Sequence, residues 1–255
     1  MKCYDAADCR ILTARETVPG IYDWTVSWPD AAKIARPGQF AQFLVPGKTL
    51  RRPISICAID RKNGTLRFVF QVRGEGTKRL SRLKPGDAVN LLAPLGSGFN
   101  LGDTSRRALL VGGGIGVPPL LEAAKPFGER ALLAAGFRSR NAIILKEDFE
   151  SLGCGVRVAT DDGSFGHHGL VVDLIGDLAF DVVFACGPKP MLRAVAALAE
   201  ERRVPCFVSM EERMACGIGA CLGCAVRLRG ENGLFYGHVC KDGPVFDART
   251  VVWEE

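Results

Sequence analysis

Four cysteines in the last fifth of the chain constrain it more than any other feature. Four residues separate Cys216 from Cys221, two separate Cys221 from Cys224, and Cys240 follows after fifteen more. The first three lie in Met210-Glu-Glu-Arg-Met-Ala-Cys-Gly-Ile-Gly-Ala-Cys-Leu-Gly-Cys-Ala225. Thiolates are soft, anionic metal ligands. Gly217, Gly219 and Gly223, interspersed with Ala215, Ala220 and Ala225, leave no bulk between backbone and metal, so peptide N–H groups can turn toward the sulfurs.

That uneven spacing is the plant-type pattern of a [2Fe-2S] cluster. Zinc is the competing reading. Structural zinc sites usually pair two short Cys-x-x-Cys knuckles, and only Cys221 and Cys224 form one. His238 stands two residues before Cys240, but four thiols already complete a ligand set. Cys3, Cys9, Cys57, Cys154, Cys186 and Cys206 follow no disulfide framework and are expected to be buried free thiols.

With 255 residues, 47% of them hydrophobic and 24% charged, the chain has room for two ordinary globular domains and a small appendage. Its formal net charge of +5 is spread along the sequence without a Lys/Arg block, which speaks for solubility and against nucleic acid as a partner. No apolar run approaches the ~18 residues of a membrane span. The N-terminal Met1-Lys-Cys-Tyr-Asp-Ala-Ala-Asp lacks the apolar core of a signal peptide, so a cytoplasmic location with no membrane contact is expected.

Residues 1–100 read as short strands punctuated by turns, the rhythm of an antiparallel β-barrel. Pro19-Gly20, Pro37-Gly38 and Pro85-Gly86 separate strands, and Asn63-Gly64 marks a hairpin. One short helix is expected over 76–83. Arg52 offers a guanidinium for a diphosphate, Ser55 a hydroxyl for a flavin edge, and Gly76-Thr77 peptide N–H groups at a helix start. Each of these signals is weak alone.

From Arg107 the rhythm becomes strand, glycine turn, helix. Ala108-Leu-Leu-Val111 leads into Gly112-Gly-Gly-Ile-Gly116 and a helix opened by Pro118-Pro119. The series departs from the strict dinucleotide fingerprint, because Val117 stands at the third glycine position. Further strands are expected over 131–136, 155–160 and 181–186, the last running into Gly187-Pro188 and a helix to about residue 203. Ligands of such sheets sit at the C-terminal ends of the strands, so Gly113, Gly114, Ile115 and Gly116 should converge with Cys186, Gly187 and Pro188. Asp161 or Asp162 could accept from ribose hydroxyls and repel a 2′-phosphate, favouring NAD, whereas Arg138 and Arg140 could welcome one. His167 and His168, adjacent and beside two glycines, read as solvent-exposed loop residues.

Taken in order, Arg-Pro-Ile-Ser, Gly-Gly-Gly-Ile-Gly-Val-Pro-Pro, Cys-Gly-Pro and the cysteine loop resemble the ferredoxin reductase superfamily. The C-terminal loop is similar to that of the electron-transfer subunits of B-type dihydroorotate dehydrogenase. The resemblance implies an FAD-binding β-barrel (1–100), an NAD-binding parallel α/β domain (101–209) and a small cysteine-rich iron–sulfur domain (210–255). It implies that Arg52, Pro53, Ile54, Ser55, Val69, Phe70, Gln71, Gly76 and Thr77 hold the flavin. Asp162 and the two glycine turns would serve NAD, and Cys216, Cys221, Cys224 and Cys240 the cluster. Gln71 departs from the arginine that the family usually places there, leaving Arg73 or Arg51 to compensate.

The resemblance further implies a partner, an FMN-containing dihydroorotate dehydrogenase catalytic subunit, in a heterotetramer of two catalytic and two electron-transfer subunits. Electrons from dihydroorotate would cross the cluster and the flavin to NAD+ in pyrimidine (UMP) biosynthesis, with no residue of this chain touching the pyrimidine. Leu234, Phe235 and Tyr236 are candidate partner contacts, although packing onto their own small domain is the expectation from their apolar character. The alternative is a subunit of another flavin and iron–sulfur oxidoreductase, such as sulfide dehydrogenase or ferredoxin:NADP+ oxidoreductase. In the latter the first cluster ligand is typically aspartate, and Cys216 speaks against it.

Overall fold

The computed structural model describes residues 4–253. Six antiparallel strands, β1 (Asp5–Val18), β2 (Ile21–Ser27), β3 (Phe40–Phe43), β4 (Arg52–Asp60), β5 (Thr65–Gln71) and β6 (Ala88–Leu95), close into a barrel in the order β1-β2-β5-β4-β3-β6. Alternation builds its interior: Trp24, Phe43 and Phe68 are fully buried, and the Phe43 and Phe68 rings meet edge to face at 4.9 Å. The expected Asn63-Gly64 turn joins β4 to β5, with Gly64 at φ +65°. Helix α2 (Glu75–Leu80) follows β5 as expected, while α1 (Pro29–Ile34) is an addition to the sequence reading, too short for periodicity to reveal.

The second layer is a seven-stranded sheet. Strands β7 (Ala108–Gly113), β8 (Ala131–Phe137), β9 (Gly155–Thr160), β10 (His167–His168), β11 (Val182–Cys186) and β12 (Cys206–Ser209) are parallel, in the order β10-β9-β8-β7-β11-β12. Helices α3 (Pro118–Ala124), α4 (Lys146–Ser151) and α5 (Lys189–Glu201) connect them. The strand order reverses between β7 and β11, which opens a crevice beyond their C-terminal ends. Val117 fits despite the missing third glycine because Gly112 makes room: a Cβ at Gly112 would lie 2.6 Å from the Val117 Cγ2. The histidine pair is exposed, as expected, but forms the edge strand β10 instead of a loop.

The chain then forms the cysteine loop and a hairpin of β13 (Ala225–Gly230) and β14 (Gly233–His238), and returns as β15 (Val245–Asp247) antiparallel to β12. Cys224, Val226, Val239 and Cys240 share one core cluster with Leu109, Val111, Val183 and Ala185 of the sheet. The cysteine-rich segment therefore packs against the α/β layer instead of enclosing a core of its own.

Buried polar contacts join barrel and sheet. The Glu122 carboxylate on α3, almost wholly buried, accepts from the Ile59 N–H on β4 at 2.8 Å and pairs with Lys125. Arg67 on β5 bridges Asp23 at 2.7 Å and Asp148 on α4. Glu122→Ala leaves a buried N–H without its acceptor and is expected to cost about 2 kcal/mol. Urea unfolding measures it, and an unchanged midpoint would show that this contact does not hold the layers together.

Candidate functional site

Two clefts meet where the barrel faces the sheet. One, of about 250 Å³, is walled on the barrel side by Pro53, Ile54 and Ser55 of β4, Val69, Phe70 and Gln71 of β5, and Thr77 of α2. Across it stand Ile115 and Cys186 of the sheet and Ser209, Met210, Glu211, Glu212 and Met214, which lead into the cysteine loop. β4 and β5 present an apolar wall with a few polar groups, the usual composition of a cofactor pocket.

Two flavin candidates lie just beyond this cavity. The Arg52 guanidinium covers Gly76 so closely that a Cβ there would come within 2.4 Å of its Nε. Thr77 Oγ1 accepts the Arg73 N–H at 3.0 Å and the Gly74 N–H at 3.3 Å, folding the turn before α2. Arg73 Nε donates to Gln71 Oε1 at 2.9 Å and lines the cleft. Arg51 is committed elsewhere, donating to the Gln42 carbonyl and to Asn90. Of the two compensating arginines, only Arg73 stands beside Gln71.

The larger cleft, about 840 Å³, lies over the crevice between β7 and β11. Gly113, Gly114, Ile115 and Gly116 form one lip, Gly187 and Pro188 the other. Absent side chains make this approach possible: a Cβ on Gly116 would lie 2.3 Å from the Cys186 carbonyl oxygen, and one on Gly113 would lie 2.7 Å from Pro188 Cδ. Gln71, Arg73, Ile115 and Glu211 line both clefts, so the two are continuous.

Asp161 and Arg138 line the larger cleft. Asp162, the residue singled out by the sequence reading, does not: its Oδ1 accepts from the Ser164 hydroxyl at 2.6 Å and N–H at 3.0 Å, closing its own turn. Adjacent residues in a turn point apart, which is why the sequence could not choose between them. Arg140 is likewise turned away, its guanidinium lying over Phe165.

The four thiols fall into two pairs. Cys224 Sγ and Cys240 Sγ, both buried, lie 3.3 Å apart. Cys216, half-buried, accepts the Ala220 N–H at 3.3 Å and the Ile218 and Cys221 N–H groups at 3.4 Å. Cys240 accepts the Gly219 N–H at 3.2 Å. Burial acts to raise the Cys216 pKa, but these donors outweigh it and bring the thiol down to about 6. Burial, then the neighbouring Cys224 sulfur, pushes Cys240 up to about 12. Two thiolate pairs ringed by N–H donors suit a two-iron cluster, which takes two thiolates per iron.

The other cysteines behave differently. Burial pushes the Cys9, Cys186 and Cys206 thiols up to about 12 and raises Cys57 and Cys154, which makes them inert neutral thiols. Cys3 lies outside the described residues. The His238 imidazole faces Asp242, its Nδ1 3.6 Å from Oδ2, and the backbone N–H of the same residue donates to that oxygen at 2.8 Å.

Leu234, Phe235 and Tyr236 do not pack on their own domain as expected. They are 57%, 51% and 66% exposed, with Leu222 and Ile218 of the cysteine loop also exposed. The hairpin has only one layer behind it, and alternate residues such as Val226 and Leu228 already fill that core.

Residues 211–252 match the family described as the iron-sulfur cluster binding domain of dihydroorotate dehydrogenase B. The whole chain is similar to the dihydroorotate dehydrogenase B (NAD(+)) electron transfer subunit of Caldanaerobacter subterraneus, 42% identical over 96% of this chain and 97% of that one. The Bacillus caldolyticus subunit is 45% identical over 91% of this chain and 92% of its own. The chain belongs to this family.

Among solved structures, one of an NADH-dependent reduced ferredoxin-NADP oxidoreductase superposes with a TM-score of 0.85 at 30% identity, covering 97% of this chain and 90% of that one. The ferredoxin reductase of a carbazole dioxygenase, at 20% identity and TM-score 0.68, shares the fold. Ser209 to Glu212 line the smaller cleft and were not among the flavin candidates that the sequence offered. The sequence carried no signal for them: they continue from the C-terminal end of β12, a four-residue strand too short to show a period, at the same sheet edge as the glycine turns.

Gly116→Ala drives a methyl group into the Cys186 carbonyl. Overpacking of this kind costs roughly 1–3 kcal/mol, so dinucleotide affinity is expected to fall roughly tenfold or more while flavin content is retained. Titration with NADH measures this, and unchanged affinity would detach the β7–β11 seam from nucleotide binding.

Proposed function

We propose that this chain takes electrons from the FMN of a separate catalytic subunit that oxidises dihydroorotate, and delivers them to NAD+. The observation that carries the reading is the order of the three sites. The dinucleotide crevice opens into the flavin cleft through Gln71, Arg73, Ile115 and Glu211, and the far wall of that cleft, Met210 and Met214, leads into the cysteine loop. A flavin bound in the middle exchanges hydride with nicotinamide and single electrons with iron, which is the conversion such a relay needs.

In this assignment Arg52, Pro53, Ile54, Ser55, Val69, Phe70, Gln71, Gly76 and Thr77 seat FAD, with Arg73 beside Gln71 supplying the positive charge that Gln71 lacks. Gly113 to Gly116 and Cys186 to Pro188 admit the backbone-close approach of NAD, and Asp161 accepts from its ribose. Cys216, Cys221, Cys224 and Cys240 hold the [2Fe-2S] cluster. No helix among the described residues is long and apolar enough to cross a membrane. We place the complex in the cytoplasm as a heterotetramer of two catalytic and two electron-transfer subunits, acting in pyrimidine biosynthesis.

Ile218 and Leu222 of the cysteine loop and Leu234, Phe235 and Tyr236 of the hairpin that follows it are exposed apolar side chains of the kind that a partner covers. The catalytic subunit would dock there, bringing its flavin near the iron. Tyr236→Glu is expected to weaken the complex roughly tenfold or more without changing the cofactor content of this chain. Sedimentation of the mixed subunits reads the affinity, and unaltered assembly would move the docking site elsewhere.

Cys221→Ser tests the relay itself. Expected are a large loss of iron and labile sulfide and at least a roughly hundredfold fall in dihydroorotate-dependent NAD+ reduction by the assembled enzyme, with NADH still bleaching the flavin. Unchanged iron and turnover would sink the cluster assignment. Dihydroorotate oxidation by this chain alone would sink the division of labour.

A further inference from the structure

Alternation along β3 sends Ala41 and Phe43 into the barrel interior, where they join its core. Phe40 and Gln42 therefore face outward, and Phe40 packs in the core cluster that contains Cys224 and Cys240. Gln42 is completely buried. Neither its Nε2 nor its Oε1 has a hydrogen-bond partner, although almost every buried amide in a folded protein has one. Its backbone is held in place, the carbonyl accepting from Arg51 at 3.1 Å.

What the amide faces is the cysteine loop. A Cβ on Gly217, the residue after Cys216, would lie 2.6 Å from Gln42 Nε2 and 2.7 Å from its Cγ. Gly217 takes φ +74° there, and its lack of a side chain is what lets the carboxamide reach the loop. The peptide N–H groups of Ile218, Ala220 and Cys221 are already directed at Cys216 Sγ. Thiolate and sulfide sulfurs accept hydrogen bonds and cannot donate them, so of the two ends of the carboxamide only Nε2 can serve them.

We propose that Gln42 is the barrel's own hydrogen-bond donor to the iron–sulfur centre: its Nε2–H, which bonds no cysteine sulfur of the chain itself, donates to a bridging sulfide of the cluster. This rests on the cluster assignment above and adds a role for a residue outside the cysteine segment. A donor to sulfur stabilises the reduced, more negative state, so Gln42 raises the potential of the centre. It is a tuning residue, and it ties the barrel that seats the flavin to the loop that seats the iron.

The test uses the full-length chain purified without air. Gln42→Leu and Gln42→Met keep volume and remove the donor. Iron and sulfide content should stay at the wild-type level in both, while EPR-monitored titration gives a lower midpoint potential and resonance Raman shows shifted Fe–S stretches. In the wild-type chain, side-chain 15N labelling of glutamine should give a hyperfine coupling to the reduced cluster that Gln42→Leu abolishes. A merely space-filling Gln42 predicts the opposite: loss of two unsatisfied polar atoms, unchanged or raised thermal stability, and an unmoved potential. That outcome, or absence of the coupling in the wild-type chain, overturns the proposal. A wild-type chain without iron and sulfide overturns the cluster assignment as well, and is recognised before any variant is made.

Discussion

The return of the chain at residues 239–247 is the contact on which the arrangement of the three sites depends. β15 pairs with β12, the Met210 N–H donates to the Pro244 carbonyl at 2.8 Å, and the Ser97 N–H at the end of the barrel donates to the Gly243 carbonyl at 2.5 Å. One short stretch is thus hydrogen-bonded to the sheet, to the segment leading into the cysteine loop and to the barrel. Electron transfer needs fixed, short gaps between centres, and backbone hydrogen bonds give a stiffer register than side-chain contacts alone. The apolar core shared by Cys224 and Cys240 with Val111 and Val183 reinforces the same seam.

Around the thiols, two opposing effects divide the four sulfurs. Cys216 lies near the surface and collects three peptide N–H donors, which favour the anion. Cys240 is buried against Cys224, which favours its neutral thiol until a metal replaces the proton. The glycines make the first environment possible: Gly217 and Gly219 adopt φ +74° and +84°, turning successive N–H groups inward. The result is an asymmetry, with Cys221 exposed and Cys216 half-buried on one side, Cys224 and Cys240 buried on the other.

Barrel and sheet use a different chemistry at their junction. Buried carboxylates there are paired, Glu122 with a backbone N–H and Lys125, and Asp23 with the half-buried Arg67, which also bridges Asp148. Such contacts specify orientation more than they add stability, since the desolvation of each ion offsets much of its attraction. Orientation is what the shared walls of the two clefts require, because Gln71 and Arg73 come from the barrel and Ile115 and Glu211 from the sheet side.

Spacing alone singled out Cys216, Cys221, Cys224 and Cys240 as the candidate ligands, since the order of thiols along the chain is itself the chemical pattern. Glycine and proline punctuation together with β periodicity located most barrel strands, the first four long strands of the sheet and the two glycine turns that converge. These are local signals, and local geometry satisfies them. Three matters needed the tertiary structure. Whether Asp161 or Asp162 faces the cleft is decided by a turn that bonds one of them to Ser164. Burial of Leu234, Phe235 and Tyr236 depends on whether another layer covers the hairpin, and hydrophobicity carries no information about that. The four-residue β12 and three-residue β15 are too short to have a period, and they form strands because each has the other, and the sheet, to pair with.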